Sequence, residues 1–125
     1  MRIYETRIFG RFTKKETISN SDLRKAVERA NAGLIDADLG GGLIKQRVAR
    51  PGQGRSGGYR TILVFRSGDL AIFMAGFAKN ERDNISDDDL ADLKTIARQW
   101  LKEPDRLAKD LATGILNEVE HDSND

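Results

Sequence analysis

Six cations and no acid occupy residues 43–66: Lys45, Arg47, Arg50, Arg55, Arg60 and Arg66. The whole chain carries 21 basic and 20 acidic residues, so the segregation belongs to this stretch and not to the composition. Charge of one sign gathered on one segment must stay hydrated or meet a polyanion, and the phosphates of a nucleic acid are the commonest one. Were the partner RNA, the reaction to consider would be strand scission by its own 2′-hydroxyl. That reaction needs a proton removed, charge stabilised on the phosphorane, and a proton given to the leaving 5′-oxygen. Small nucleases usually employ imidazole or carboxylates for this. For that reaction the one histidine, His121, lies in an acidic tail, and residues 43–66 carry no carboxylate, so a cationic site would have to serve. Crowded cations lower one another's pKa, which makes a lysine a credible base, whereas arginine stays charged.

Extended backbone is expected to hold these residues. Around position 45, Leu43, Lys45 and Arg47 fall on one side of a strand, and Ile44, Gln46 and Val48 on the other, because side chains alternate. Residues 59–66 are β-branched and aromatic, which suits a second strand. Arg50 to Gly58 is rich in glycine, with Pro51, and reads as the long basic tip of a hairpin. Ser67-Gly68-Asp69 is a turn, and Leu70 to Phe77, apolar on both faces, is a strand at the centre of the sheet. The charged cluster 78–85 follows it, where a rigid scaffold can present side chains.

Before the basic stretch, alternation predicts a first strand over residues 2–9, interrupted at Gly10, with Phe12 on a short helical turn. Ser19 to Asp22 offers helix N-caps, and Leu23, Ala26, Val27, Ala30 and Leu34 form an apolar stripe that Gly33 ends. Residues 35–42 read as a connector. Gly40-Gly41-Gly42 is not a phosphate-binding loop, because no helix start with Lys-Ser/Thr follows. After the cluster, Ser86 caps a helix whose stripe is Leu90, Leu93, Ile96, Ala97, Trp100 and Leu101, with Pro104 at its end. Asp87, Asp88 and Asp89 favour the positive helix end. As consecutive helical residues they point apart and cannot converge on a metal ion. Residues 105–117 are weakly helical, with Leu107, Leu111 and Ile115, and 118–125 are acidic and frayed.

At 125 residues, 38% hydrophobic and 33% charged, the chain fits one small folded domain with a wide polar surface. No run of about 18 apolar residues suggests a membrane span, and no apolar core follows Met1. The absence of cysteine is compatible with a reducing cytoplasm.

Three motifs in order then carry a resemblance: Ile44-Lys45-Gln46-Arg47-Val48; Gly57-Gly58-Tyr59-Arg60-Thr61 with an apolar strand after it; and Gly76-Phe77-Ala78-Lys79-Asn80-Glu81. With them the chain resembles the RelE/HigB toxins of bacterial type II toxin–antitoxin systems, over roughly residues 1–101. The resemblance implies an α+β fold of the RelE-like microbial ribonuclease type, a small antiparallel sheet packed by N-terminal and C-terminal helices. Residues 1–104 would form the toxin domain and 105–125 a C-terminal extension. It implies a ribosome-dependent mRNA endoribonuclease, an mRNA interferase that cuts in the ribosomal A site and so inhibits translation. No cofactor or metal is implied. A co-expressed antitoxin, in HigB-like systems often a helix-turn-helix DNA-binding protein, would neutralise it.

By that resemblance Lys45 and Arg47 stand at the two basic strand positions, the second proposed in the family as general base. The residues themselves assign either to proton removal or to charge support. Arg60 matches the arginine that steadies the transition state, and a planar bidentate donor suits the scissile phosphate. Lys79 would reach the phosphate or the leaving group. Asn80 stands where RelE itself has an arginine proposed as general acid, and no residue answers to its late catalytic tyrosine, so the proton donor is not named. Arg50, Arg55, Arg66 and Asn80 are expected along the RNA. Tyr59 suits stacking on a base or packing in the sheet. Glu81 is read as structural. A ParE-like toxin acting on DNA gyrase, or a non-catalytic RNA- or partner-binding module, is the competing reading. The cationic reading predicts that association with RNA or ribosomes weakens at least tenfold between about 50 and 200 mM salt, as released counterions dictate. Affinity that stays constant over that range in a binding titration would refute it.

Overall fold

A computed structural model of the chain describes residues 1–50, 54–78 and 85–120, the side chains of 50 and 54–57 excepted. Six strands form one sheet: β1 (Arg2–Thr6), β2 (Ala37–Gly40), β3 (Leu43–Arg50), β4 (Gly54–Arg66), β5 (Leu70–Ala78) and β6 (Leu116–Glu118). Their order across the sheet is β2-β3-β4-β5-β1-β6. All neighbours run antiparallel except β1 and β5, which are parallel. Four helices, α1 (Arg7–Glu16), α2 (Asn20–Asn31), α3 (Asp87–Lys102) and α4 (Pro104–Ala112), cover the two faces. The α+β class and the mostly antiparallel sheet are those expected from the sequence.

Strand alternation divides the apolar residues into two cores. On one face Ile44, Val48, Tyr59, Leu63, Ala71 and Phe73 pack with Phe9 of α1 and Leu23, Ala26, Val27 and Ala30 of α2. On the other, Leu43, Ile62, Val64, Leu70, Ile72, Met74 and Phe77 pack with Ala97 and Trp100 of α3 and Leu107 of α4. β5 lies inside the sheet, and every residue from Leu70 to Met74 is buried, as its two-sided apolarity requires. A bulge sits between the pairs Ile62↔Ala75 and Leu63↔Phe73. The extra residue tightens the local twist next to the basic end of the sheet.

Several boundaries differ from those expected. The first strand ends at Thr6, not at residue 9. The Thr6 hydroxyl accepts from the Phe9 amide at 3.0 Å and starts α1 there. Phe9, Phe12 and Thr13 then recur at helical spacing and face the sheet. Phe9 stacks on Phe73, with 5.1 Å between ring centroids. Ser19 caps α2 in a reciprocal box with Asp22, but Leu34 falls beyond the helix and is exposed. The connector 35–42 contains β2. Gly41 and Gly42, at φ 62° and 84°, form the two-residue turn to β3, and positive φ at both central positions is what such a hairpin turn demands. A Cβ on Gly42 would come within 2.6 Å of Leu101, so the turn also receives α3. The basic tip is shorter than expected: β3 runs to Arg50 and β4 starts at Gly54, leaving 51–53 outside the described residues.

Pro104 ends α3 and begins α4, where its missing amide costs no helix bond. The chain then returns to the sheet. β6 pairs with β1, the Val119 amide donates to the Ile3 carbonyl at 2.8 Å, and Val119 is buried. Glu118 and Val119 are therefore part of the sheet edge and not frayed; residues 121–125, with His121, lie outside the described residues.

Gln46 ties the layers together. It is 1% exposed. Its Nε2 donates to the Ala26 carbonyl of α2 and to the Leu34 carbonyl, both at 3.0 Å, and its Oε1 accepts from the Asp36 amide at 3.1 Å. Gln46→Leu keeps the volume but strips three partners, which should cost about 2–3 kcal/mol. The measurement is a urea denaturation midpoint at unchanged slope.

Glu5 is the opposite case. It is half-buried beside Gly10, and its Oε2 has no hydrogen-bond partner. Burial raises its carboxyl above the ordinary value of 4.5. Between 4.5 and the raised folded value, the folded state binds more protons than the unfolded one. Stability therefore falls as pH rises through that interval and stays lower above it. Glu5→Gln should remove this slope and raise the melting temperature at pH 7, by a few degrees at most because the group is partly solvated. Melting curves from pH 4 to 7 check it; a variant less stable than wild type at pH 7 would contradict the assignment.

Candidate nucleic-acid site

The two faces of the sheet are not covered to the same extent. α3 lies over the β2–β3 turn, with Lys94 above Gly41 and Leu101 against Gly42. Beyond Leu43 on that face, β3 presents Lys45 and then Arg47, both partly exposed. β4 presents Arg60 beside them: Arg47 and Arg60 are directly opposed, and Lys45 opposes Ile62. Phe77 of β5 opposes Arg60 from the other side. An open cleft of about 340 Å³ results, lined by Asp36, Ala37, Lys45, Gln46, Arg47 and Arg60.

Backbone geometry sharpens this. The Arg47 amide donates outward to Asp36 Oδ2 at 2.7 Å, and the Arg47 carbonyl accepts from Arg29 Nη2. Both groups of Arg47 thus point away from β4. Arg47 and Arg60 therefore form a non-hydrogen-bonded pair, the kind whose side chains stand closest, about 4.5 Å apart at Cα. Like charges so placed repel, which makes the cleft a strong receptor for an anion. Gly58 supports it from below. A Cβ there would meet the Val48 carbonyl at 2.7 Å and Arg47 Cγ at 3.0 Å, so the stem of Arg47 lies where any larger residue would displace it.

Of the residues singled out from the sequence, Lys45, Arg47 and Arg60 are brought together. Tyr59 is not presented to a base. It is 2% exposed, meets Phe12 edge-on at 5.6 Å, and donates its hydroxyl to the Glu16 carbonyl at 3.3 Å, so packing is its role. Arg66 stands six residues from Arg60 on the same strand, roughly 20 Å away. There its Nε meets Asp69 Oδ2 at 2.6 Å while Arg2 meets Oδ1 at 3.0 Å. Hydrogen bonds from Arg2 and Arg66 hold the Asp69 carboxyl below the usual aspartate range. Arg66 thus ties into the far end of the sheet, apart from the cleft of Lys45, Arg47 and Arg60. Arg50 and Arg55 lie at the facing ends of β3 and β4, with their side chains outside the described residues, as are Lys79, Asn80 and Glu81 entirely.

Sequence reasoning missed Asp36, Arg29 and Gly58. Asp36 lies inside the segment 35–42 read as a connector, and only the alternation of Asp36, Ala37, Asp38 and Leu39 hinted at an edge strand. Arg29 sits on α2, 18 residues from Arg47, and no local pattern links them. Among the described residues no cluster of His, Cys, Asp or Glu could hold a metal ion, and no helix is long and apolar enough to cross a membrane.

The sequence finds no match among curated proteins. Residues 1–119 match the family model described as RelE toxin of RelE / RelB toxin-antitoxin system. That span takes in the cleft, the four helices and the closing strand β6, and the chain belongs to the RelE toxin family.

Proposed function

We propose that this toxin is a ribosome-dependent mRNA endoribonuclease, acting in the cytoplasm and neutralised by a co-expressed antitoxin of the helix-turn-helix DNA-binding kind. The observation that carries the reading is the shared cleft of Lys45, Arg47 and Arg60 on one face of two adjacent strands. Three cations from two strands match a phosphodiester better than an apolar or neutral ligand.

In this reading the phosphate between two nucleotides sits over the Arg47–Arg60 pair. The 2′-hydroxyl oxygen attacks phosphorus, the bond from phosphorus to the 5′-oxygen breaks, and a 2′,3′-cyclic phosphate and a 5′-hydroxyl end result. Arg60 clamps the non-bridging oxygens, where charge grows in the phosphorane. Lys45 or Arg47 takes the 2′-hydroxyl proton or supports the charge that its loss creates. Lys79, which follows the end of β5, is assigned to the leaving 5′-oxygen. Phe77 is the cross-strand neighbour of Arg60 on β5. Ribosome dependence fits a site of this composition. A cleft with poor acid–base groups gains most when its substrate is already held in the reactive geometry.

Arg60→Ala should lower mRNA cleavage on translating ribosomes by about 10²–10³-fold and abolish growth inhibition, with an unchanged circular dichroism spectrum. A well-folded Arg60→Ala protein that still arrests growth at wild-type expression would remove Arg60 from the reaction. Transcripts left whole in cells producing the wild-type toxin without antitoxin would overturn the ribonuclease reading itself.

A further inference from the structure

β2 pairs with β3 only as far as Ala37↔Lys45, and the same register would need a strand residue at position 35 to reach Arg47. No strand is there, so at Arg47 the outer edge of the sheet is open. Its two backbone groups are nevertheless both held, by side chains of opposite charge from different elements. Asp36 Oδ2 takes the N–H at 2.7 Å, and the Arg29 guanidinium of α2 donates to the C=O. Asp36 is in turn fixed by its own amide, which donates to Gln46 Oε1, and Gln46 Nε2 donates to Ala26 on the same helix as Arg29. The hydrogen bonds thus close a ring through α2, Asp36 and β3.

We infer that Asp36 and Arg29 are positioning residues, an ionic clamp that holds Arg47 by its backbone so that its guanidinium stays opposed to Arg60 in the cleft. The clamp takes the place of a strand at one residue. Water would satisfy an exposed edge amide and carbonyl just as well, so stability does not call for two charged side chains there. Geometry does. Charge-assisted bonds to both groups fix a φ/ψ pair and hence the direction of the side chain. The repulsion between Arg47 and Arg60 tends to push the strands apart at this pair, and the clamp opposes it from the outer side. Asp36 lines the cleft, yet in this arrangement its work is as an acceptor for an amide and not as a base.

The catalytic part of the test rests on the ribonuclease reading; the exchange part does not. Wild type, Asp36→Ala, Asp36→Asn and Arg29→Ala are compared by amide hydrogen exchange at Arg47 and by kcat and KM for mRNA cleavage on ribosomes across pH. Asp36→Ala should speed exchange at the Arg47 amide tenfold or more and lower kcat about tenfold, with KM within twofold. Asp36→Asn, which keeps an acceptor oxygen, should restore most of both and leave the pH profile unchanged in shape. Arg29→Ala should lower kcat similarly, and it carries the test should Asp36→Ala not fold. Equal protection of the Arg47 amide in Asp36→Ala and wild type overturns the clamp. So does an Asp36→Asn variant as impaired as Asp36→Ala with the acidic limb of its pH profile lost, since that marks a proton acceptor. If wild type cleaves no mRNA, the ribonuclease reading fails and the exchange result alone decides the clamp.

Discussion

The alternation of β3 across a single buried amide is the constraint on which the rest depends. Gln46 faces α2 and has partners for both ends of its amide there, while its neighbours Lys45 and Arg47 face the cleft. A slip of one residue would exchange them. It would carry a guanidinium into the first core, unpaired, and put the amide in solvent, at a cost well beyond the few kcal/mol of a point substitution. Gln46 therefore fixes two things together: the docking of α2 on the sheet, and the side on which the cations emerge. The Thr61 hydroxyl, donating to the Gln46 carbonyl at 2.7 Å, locks the neighbouring strand to the same register.

Two groups of arginines show how differently the same residue type is used. At the far end of the sheet, Arg2 and Arg66 share Asp69, and their charge is largely met within the protein. At the near end, Arg47 and Arg60 oppose each other, and the nearby carboxylate of Asp36 is turned onto a backbone amide. The first arrangement fastens β1 to the β4–β5 turn. The second leaves a positive field that only an outside anion can satisfy in full. Composition alone could not separate Arg66 from Arg47 and Arg60, because all three lie in the same acid-free run of residues.

What could be read from the sequence follows the range of the forces involved. Period-two alternation is local, so β3, β4, β5 and their cationic face were legible, as were the start of α2 within Ser19 to Asp22, the cap Ser86 and the stripe of α3 apart from Ile96, which is exposed. Local rules failed where tertiary contacts decide. Residues 7–9 continue an alternating pattern, yet Thr6 can cap a helix, and Phe9 and Phe12 find partners in Phe73 and Tyr59 that are far away in the chain. Glycines 54, 57 and 58 signal a loop by propensity, but strand pairing overrides it, and Gly58 is needed for the close approach of Arg47. β6 is three residues long and becomes a strand only because β1 offers an edge. In the site, the cations were legible and their supports were not, since Arg29 and Asp36 act through hydrogen bonds between elements.

The placement of Asp36 also explains how an acid can line a cationic cleft without neutralising it. A carboxylate on the face of the sheet, at the position of Ile62 for example, would pair with Lys45 or Arg60 and compete with any anion entering the cleft. At the edge, committed to the Arg47 amide, it lies alongside the cations and not over them. It moderates their mutual repulsion at short range while the face above Arg47 and Arg60 stays positive. A fold that crowds cations needs some compensation to remain stable, and at the edge of the sheet the Asp36 charge is held by a backbone amide instead of by the arginines it serves.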